Sequence, residues 1–336
     1  MSDGNYNRAF NICLFYLKNL QDINKGDNFI YHYTSPEGLK SIIENCSLWF
    51  SDYQFLNDKS ELTYFKDIFI TQLNNNKEKF NKNYFYTVIN NYFNDDDFFN
   101  KIKDYLISFD KNKNKAYSLG NEGYNYYIAS FSTCSDELSM WNYYSKTYIS
   151  DGYNLKINCK KLLGNVKKQV SDFSNKYIES KDSSGELAKR TVYYGKVNYE
   201  SDNQKNIAIN ILNEYFEISL KVDQEYFETY ILQFIRELFL VFSFYQKSDK
   251  FQNESEYRIV LQLPKSVSQY SSPEETLKMQ FPIKNGCFSP KLEMKFDTWK
   301  NVIELIRIGP KNKTDFEELG RRNFIDYNDL KEVKIK

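Results

Sequence analysis

The sequence predicts an α+β protein in which a mixed β-sheet carries helical insertions. Short alternating segments rich in aromatic and β-branched residues predict strands at 29–34, 126–131 and 256–263. Long stretches between them have apolar residues at helical spacing. We therefore predict a single domain over 1–336. Its core comprises about 29–72, 123–165 and 240–325, and its helical insertions about 73–122 and 200–245. We also predict a Pro- and Ser-bearing connection over 264–290.

Composition and charge favour a cytoplasmic protein without a membrane partner. The chain has 45 basic and 45 acidic residues, so a protein that binds nucleic acid through overall positive charge is not indicated. Its five cysteines lack C-x-x-C spacing, which fits free thiols in a reducing compartment. No signal-peptide pattern opens the sequence. The longest apolar run, Leu238 to Phe242, is far shorter than the roughly 20 residues that span a bilayer.

The first polar motif surrounds His32, the single histidine of the chain. It lies at the end of a predicted strand, before Ser35 and Pro36, which are typical of a helix start. Alternation places His32 and Thr34 on one face of that strand. His32 is either a hydrogen-bonded structural residue or a ligand contact at the strand end. One histidine cannot build a multi-histidine zinc site, so we expect no metal.

Two further polar motifs adjoin predicted strands. Ser132 and Thr133 follow the middle strand, where their hydroxyls either position a ligand or stabilise a turn. The motif from Glu254 to Arg258 opens the late strand, and alternation predicts both its carboxylates and its guanidinium on one face. That face is either solvated and charge-paired or a place where a carboxylate stabilises a developing cation.

Motifs of several common enzyme classes are missing from the sequence. It contains no GxGxxG fingerprint, no GxxxxGK[ST] phosphate loop, no HExxH and no GxSxG. A Rossmann dehydrogenase and a P-loop ATPase are therefore not expected. A nuclease is disfavoured because net charge is zero and no clustered metal-ligand motif is present.

Several short segments together resemble an uncharacterised bacterial family, domain of unknown function 2971. They run in order from about residue 29 to 310. They are Tyr31-His32-Tyr33-Thr34-Ser35 with Gly38-Leu39, Leu48-Trp49-Phe50-Ser51, Phe55-Leu56-Asn57-Asp58 with Glu61, Ser130-Phe131-Ser132, Met140-Trp141-Asn142-Tyr143-Tyr144 with Gly152, Lys247, Glu254-Ser255-Glu256-Tyr257-Arg258 and Ile308-Gly309-Pro310.

The order of three motifs is also similar to the signature of ADP-ribosyltransferases. That resemblance implies an ADP-ribosyltransferase-like split mixed sheet, with NAD as the substrate and no metal. It implies Glu256 as the catalytic carboxylate and Glu254 near the acceptor. It implies NAD-binding roles for His32, Tyr33, Thr34, Ser132, Thr133, Trp141 and Arg258. Cys134 stands where the arginine-modifying branch has a second serine.

The resemblance implies an NAD-dependent ADP-ribosyltransferase or NAD glycohydrolase, of the kind found among bacterial toxins and phage-defence effectors. The acceptor is either a protein or a nucleic acid. The alternative is a non-catalytic nucleotide-binding module of a defence or regulatory system. If the three motifs form one shared site, His32, Ser132 and Glu256 are expected to converge on one cleft.

Overall fold

A computed structural model describes most of the chain. The described residues are 2–22, 28–56, 60–95, 124–144, 152–177, 192–264, 277–284, 286–299, 302–310, 312 and 334–335. The chain forms two compact units, and the prediction of a single domain stays a prediction. The helical unit comprises Met1–Lys25, Asn57–Phe109 and Gly195–Gln252, and the sheet unit comprises Gly26–Leu56, Asp110–Tyr194 and Asn253–Lys336.

The helical unit contains the described parts of both predicted helical insertions, whereas residues 96–122 of the first insertion lie outside the described residues. Its helices are α1 (Ser2–Asp22), α3 (Ser60–Asn75), α4 (Lys77–Phe80), α5 (Phe85–Asn94), α8 (Ser201–Ser219), α9 (Gln224–Tyr226) and α10 (Leu232–Ser243). Aromatic rings fill its interior, because phenylalanines recur at helical spacing. Phe69, Phe93 and Phe239 pack with ring centroids 4.8 to 5.8 Å apart. Such edge-on and tilted contacts add to the free energy of burial.

The sheet unit combines a largely antiparallel sheet with helices α2 (Pro36–Asn45), α6 (Leu138–Tyr144) and α7 (Cys159–Tyr177). Its strands are β1 (Phe29–Thr34), β2 (Ser47–Asp52), β3 (Tyr124–Ser132), β4 (Tyr153–Asn158), β5 (Val192–Lys196), β6 (Glu256–Pro264), β7 (Leu277–Gln280), β8 (Ile283–Lys284), β9 (Cys287–Phe288), β10 (Lys291–Lys295), β11 (Ile303–Ile308) and β12 (Lys334–Ile335). The predicted combination of helices and a β-sheet is confirmed. The segment predicted as a connection over 264–290 contains three strands in its second half, β7, β8 and β9, which the sequence analysis did not predict.

The sheet branches at β3. The strand order is β12–β11–β4–β1–β3–β2–β10–β7, and β6 pairs with both β3 and β5. One edge of β3 pairs with β6 along its whole length. The other edge pairs with β1 at Ser132 and with β2 at Tyr127 and Ile128. The sheet therefore splits between β1 and β2, near Ser130.

Alternation gives the sheet two different faces. The apolar face packs against α2 and α7, and its side chains include Ile30, Phe131, Leu155, Tyr257 and Leu292. The polar face lies on the opposite side of the same strands. Its side chains include Tyr31, Ser132, Lys156 and Glu256, which pair across neighbouring strands in one row. Glu293 of β10 and its cross-strand partner Trp49 of β2 lie on the same face.

Helix α2 begins where the sequence predicts it. Ser35 Oγ accepts a hydrogen bond from the Gly38 N–H at 3.2 Å, and Pro36 occupies the first turn, where its missing N–H costs nothing. Gly38 lies so close to β1 that a methyl group there would overlap Thr34 Oγ1. The turn from β1 into α2 therefore requires a glycine at this position.

We expect the substitution Gly38→Ala to lower the free energy of unfolding by about 1–3 kcal/mol, because buried Thr34 cannot move away without strain. The matched control is Gly164→Ala in α7, where a methyl group meets nothing within 4 Å. The control is expected to raise the free energy of unfolding by about 0.5–1 kcal/mol through helix propensity. Urea denaturation of both variants measures the difference. Effects of the same sign would contradict the proposed close contact.

Candidate functional site

Two of the three predicted motifs meet on the polar face of the sheet. Ser132, at the end of β3, is the cross-strand partner of Glu256, at the start of β6. On its other side Ser132 pairs with Tyr31 of β1. Directly paired residues of antiparallel strands point to the same face. A hydroxyl, a carboxylate and a phenol therefore lie side by side.

Glu256 forms a buried ion pair with Arg258, two residues along the same strand. Arg258 Nε donates to Glu256 Oε1 at 2.8 Å, and Arg258 Nη2 donates to Oε2 at 2.9 Å. The exposed fractions of the two side chains are only 8% for Glu256 and 3% for Arg258. Two parallel bonds from a planar guanidinium fix the carboxylate plane. The arrangement gives Glu256 one defined orientation.

The Ser132 and Thr133 side chains hold the turn that precedes β6. Ser132 Oγ donates to the Glu254 carbonyl at 2.9 Å and accepts from the Cys134 N–H at 3.0 Å. Thr133 donates to the Ser255 carbonyl from its N–H at 2.7 Å and from its hydroxyl at 3.1 Å. Ser255 has a φ of 44°, in the left-handed region. The hydroxyls thus stabilise a turn, which was one of the two alternatives considered for them.

Glu254 does not share the strand face of Glu256. It ends a 3₁₀ turn, Asp249–Glu254, and β6 begins only at Glu256. The prediction of both carboxylates on one strand face is wrong for Glu254, because the left-handed Ser255 breaks the alternation. Glu256 and Arg258 do share that face, as predicted.

His32 lies on the apolar face, away from Glu256. Its ring packs on Phe131, with centroids 5.6 Å apart, and Phe131 pairs with Tyr257 rather than Glu256. A hydrogen bond joins the ring to the Ser130 backbone at the split in the sheet. Burial and the charge of Lys291 lower the pKa of His32 to about 4 despite that bond. Neutral His32 therefore bridges the split, and Thr34 lies buried on the same face.

Tyr33 and Trp141 hold the loop that follows β3. The Tyr33 hydroxyl donates to the Cys134 carbonyl and accepts from the Glu137 N–H, both at 3.1 Å. Trp141 Nε1 donates to Asp136 Oδ1 at 2.7 Å, and its ring meets that of Tyr33 edge-on at 5.0 Å. Burial raises the pKa of Tyr33 to about 12, so its hydroxyl stays protonated. Both residues position the loop through direct contacts.

The sequence analysis missed Asn154 and Arg307. They are cross-strand partners on β4 and β11, and Tyr33 pairs with Asn154 from the other side. Asn154 Nδ2 and Arg307 Nη1 both donate to the Ser135 carbonyl at 2.7 Å. Asn154 is 2% exposed, and its Oδ1 has no hydrogen-bond partner among the described residues. The sequence signal that could have identified Asn154 is a polar residue within a strand whose neighbouring residues are mostly apolar.

Metal ligands and membrane spans were also sought in the described part of the chain. There, no group of three or more His, Cys, Asp or Glu side chains is placed to hold a metal ion. No helix of the described residues is long and apolar enough to cross a membrane.

Comparison with known proteins gives one family. Residues 140–259 match the family described as Protein of unknown function (DUF2971). The match confirms the predicted family resemblance over that segment. The DUF2971 segment includes Trp141, Glu256 and Arg258, and so contains the buried ion pair. No curated protein and no solved structure matches the chain.

Proposed function

We propose that the chain is an NAD-dependent ADP-ribosyltransferase or NAD glycohydrolase whose reacting carboxylate is Glu256. The observation that carries the proposal is the direct pairing of Ser132 with Glu256, with the carboxylate fixed by Arg258. The two segments that resemble the middle and late motifs of the ADP-ribosyltransferase signature thus share one sheet face, which supports the proposal. A fixed carboxylate costs little reorganisation when positive charge develops beside it.

The proposed chemistry uses the carboxylate of Glu256 as a hydrogen-bond acceptor and as a negative charge. A carboxylate can accept several hydrogen bonds, and in this proposal Glu256 accepts one from the 2′-hydroxyl of the nicotinamide ribose. As the C1′–N bond breaks, its electron pair leaves with nicotinamide, and the ribose becomes oxocarbenium-like. The carboxylate stabilises that charge. Water or an acceptor nucleophile then bonds C1′ and releases its proton to solvent.

The binding set in this proposal differs from the one implied by resemblance. His32 is assigned a structural role, because it lies on the apolar face. Asn154 takes its place as a candidate ligand contact, because its buried Oδ1 is a free acceptor on the polar face. Three strand spacings separate β4 from β6, roughly 14 Å. Such a separation suits an extended substrate of nucleotide size.

A non-catalytic nucleotide-binding module is the second candidate. Arg258 offsets the charge of Glu256, which weakens the field that the carboxylate exerts on a cationic ribose. The hydroxyls of Ser132 and Thr133 are engaged with backbone carbonyls. A face with this arrangement can bind a nucleotide without cleaving it.

Nicotinamide release from NAD, followed by chromatography with chelator present, tests the proposal. We expect release by the unchanged chain, and a kcat lower by on the order of a hundredfold in Glu256→Gln with little change in KM. The matched control is Glu254→Gln, a carboxylate outside the strand, which is expected to retain hydrolysis and to impair transfer to an acceptor.

Three outcomes separate the two candidates. Full turnover in folded Glu256→Gln would contradict the catalytic role of Glu256. NAD binding by calorimetry without nicotinamide release would favour the binding module. Neither binding nor release would reject both.

A further inference from the structure

A small β-hairpin between β7 and β10 exposes large apolar side chains. Strands β8 and β9 form it, with Ile283 opposite Phe288. The exposed fractions are 57% for Phe281, 71% for Ile283 and 67% for Phe288. Gly286 adopts a φ of 78° in the turn, and the Ser289 N–H donates to the Pro282 carbonyl at 2.9 Å. The hairpin is a formed element that carries its apolar side chains outward.

These side chains are not an extension of the core. The flanking strands bury their own apolar residues, Leu277 and Met279 on β7 and Leu292 and Met294 on β10, in the apolar face. Single exposed apolar residues are normal on protein surfaces, whereas a cluster on one protruding element marks an interaction site. We define Phe281, Ile283 and Phe288 as the apolar tip.

Basic residues lie on the sheet next to the apolar tip. Lys291 and Lys295 of β10 and Lys278 of β7 share the face opposite Leu292 and Met294. Glu293 lies between them but is only 5% exposed, and it accepts from Ser47 Oγ at 2.9 Å and from Gln280 Nε2 at 2.6 Å. We define Lys278, Lys291 and Lys295 as the basic strip. Its half-exposed charges are positive, in a chain whose net charge is zero.

An exposed tryptophan completes the surface. Trp49 of β2 is the cross-strand partner of Glu293, so its ring lies on the basic strip, and it is 38% exposed. Tryptophan is favoured at the boundary between water and lipid, because its ring is largely apolar and its N–H is polar.

We propose that the apolar tip and the basic strip dock the protein onto an anionic lipid surface. Lysines attract the negative headgroups, and the tip enters the region where headgroups meet acyl chains. The side chain of Ile283 favours a lipid surface over a nucleic acid as the binding partner. It is the most exposed of these residues, and its aliphatic side chain has no ring on which a base stacks. The proposal departs from the expectation of no membrane partner.

Vesicle sedimentation of the full chain tests this docking. We expect the protein to sediment with vesicles of phosphatidylcholine and phosphatidylserine, and not with phosphatidylcholine alone. Raising the salt concentration should weaken the association, because half-exposed charges are screened. The double variant Ile283→Ser/Phe288→Ser is expected to lower partitioning about tenfold or more. Lys291→Glu/Lys295→Glu should lower it as well.

The matched control is Leu138→Ser. Leu138 is 67% exposed but lies at the start of α6, outside the apolar tip, so its variant should partition like the unchanged chain. Equal binding by all variants would overturn the proposal. So would binding to a single-stranded oligonucleotide in place of vesicles. Self-association that is lost in the tip variant, without vesicle binding, would assign the hairpin to a second copy of the chain instead.

Discussion

Removing either partner of the Glu256–Arg258 pair is expected to lower the free energy of unfolding by about 3–5 kcal/mol. Glu256→Gln removes the carboxylate that pairs with the guanidinium of Arg258, whose side chain is only 3% exposed. Arg258→Met likewise removes the guanidinium that pairs with the buried carboxylate of Glu256. A buried charge without a partner loses its hydration and gains nothing in return. Denaturant unfolding of each variant, at constant pH and salt, measures the effect.

The double variant Glu256→Gln/Arg258→Met separates the ion pair from the function. It removes both charges, and its stability is expected to return to that of the unchanged chain or to exceed it. It should still fail to release nicotinamide, because the carboxylate is gone. Lys205→Met provides the control for surface charge, since the Lys205–Asp202 pair is exposed, and should leave the midpoint nearly unchanged. A small loss in Glu256→Gln alone would contradict the expected cost of breaking this buried pair.

The folded protein is expected to lose stability as the pH falls from about 6.5 to about 4, through His32. Its pKa is lowered to about 4 in the folded chain, from 6.5 in its ordinary state, by burial. The unfolded chain therefore binds a proton in this range that the folded chain does not. Above pH 6.5 the free energy of unfolding is unaffected by His32. As the pH falls below 6.5 the loss of stability grows, and it reaches about 3 kcal/mol near pH 4.

The single histidine makes this expectation easy to check. NMR of the imidazole should show one ring whose signal does not titrate above about pH 5. Carboxylates also titrate near the acidic limit, so the stability of His32→Gln is subtracted at each pH. The variant should lack the loss between pH 6.5 and 5. An NMR midpoint near 6.5 would show instead that His32 is solvated.

The sequence shows which side chains of one strand share a face, but it does not show which strands are neighbours in the sheet. Alternation correctly places Tyr33 opposite His32 and groups Glu256 with Arg258, because these patterns depend on local geometry alone. It cannot show that β3 pairs with β6, whose partners Ser132 and Glu256 are 124 positions apart, so the faces of different strands could not be matched in advance. That matching decides that His32 and Glu256 lie on opposite sides of the sheet.

The sequence analysis did not predict several other features, each for a different reason. Glu254 was assigned to the strand because a left-handed serine has no sequence signature comparable to glycine. Asn154 and Arg307 meet only through the β4–β11 register. Strands β7, β8 and β9 lie in a segment rich in Pro and Ser, which is typical of loops.

The branching of the sheet at β3 has a consequence for synthesis of the chain. Strand β3 is complete at Ser132, but its full-length partner begins only at Glu256. At 5–20 residues per second, the ribosome needs roughly 6–25 s to produce the intervening segment. During that time the nascent β3 has an unpaired edge, which is prone to association with other chains. Chaperone binding to stalled nascent chains is therefore expected to peak between the emergence of β3 and that of β6.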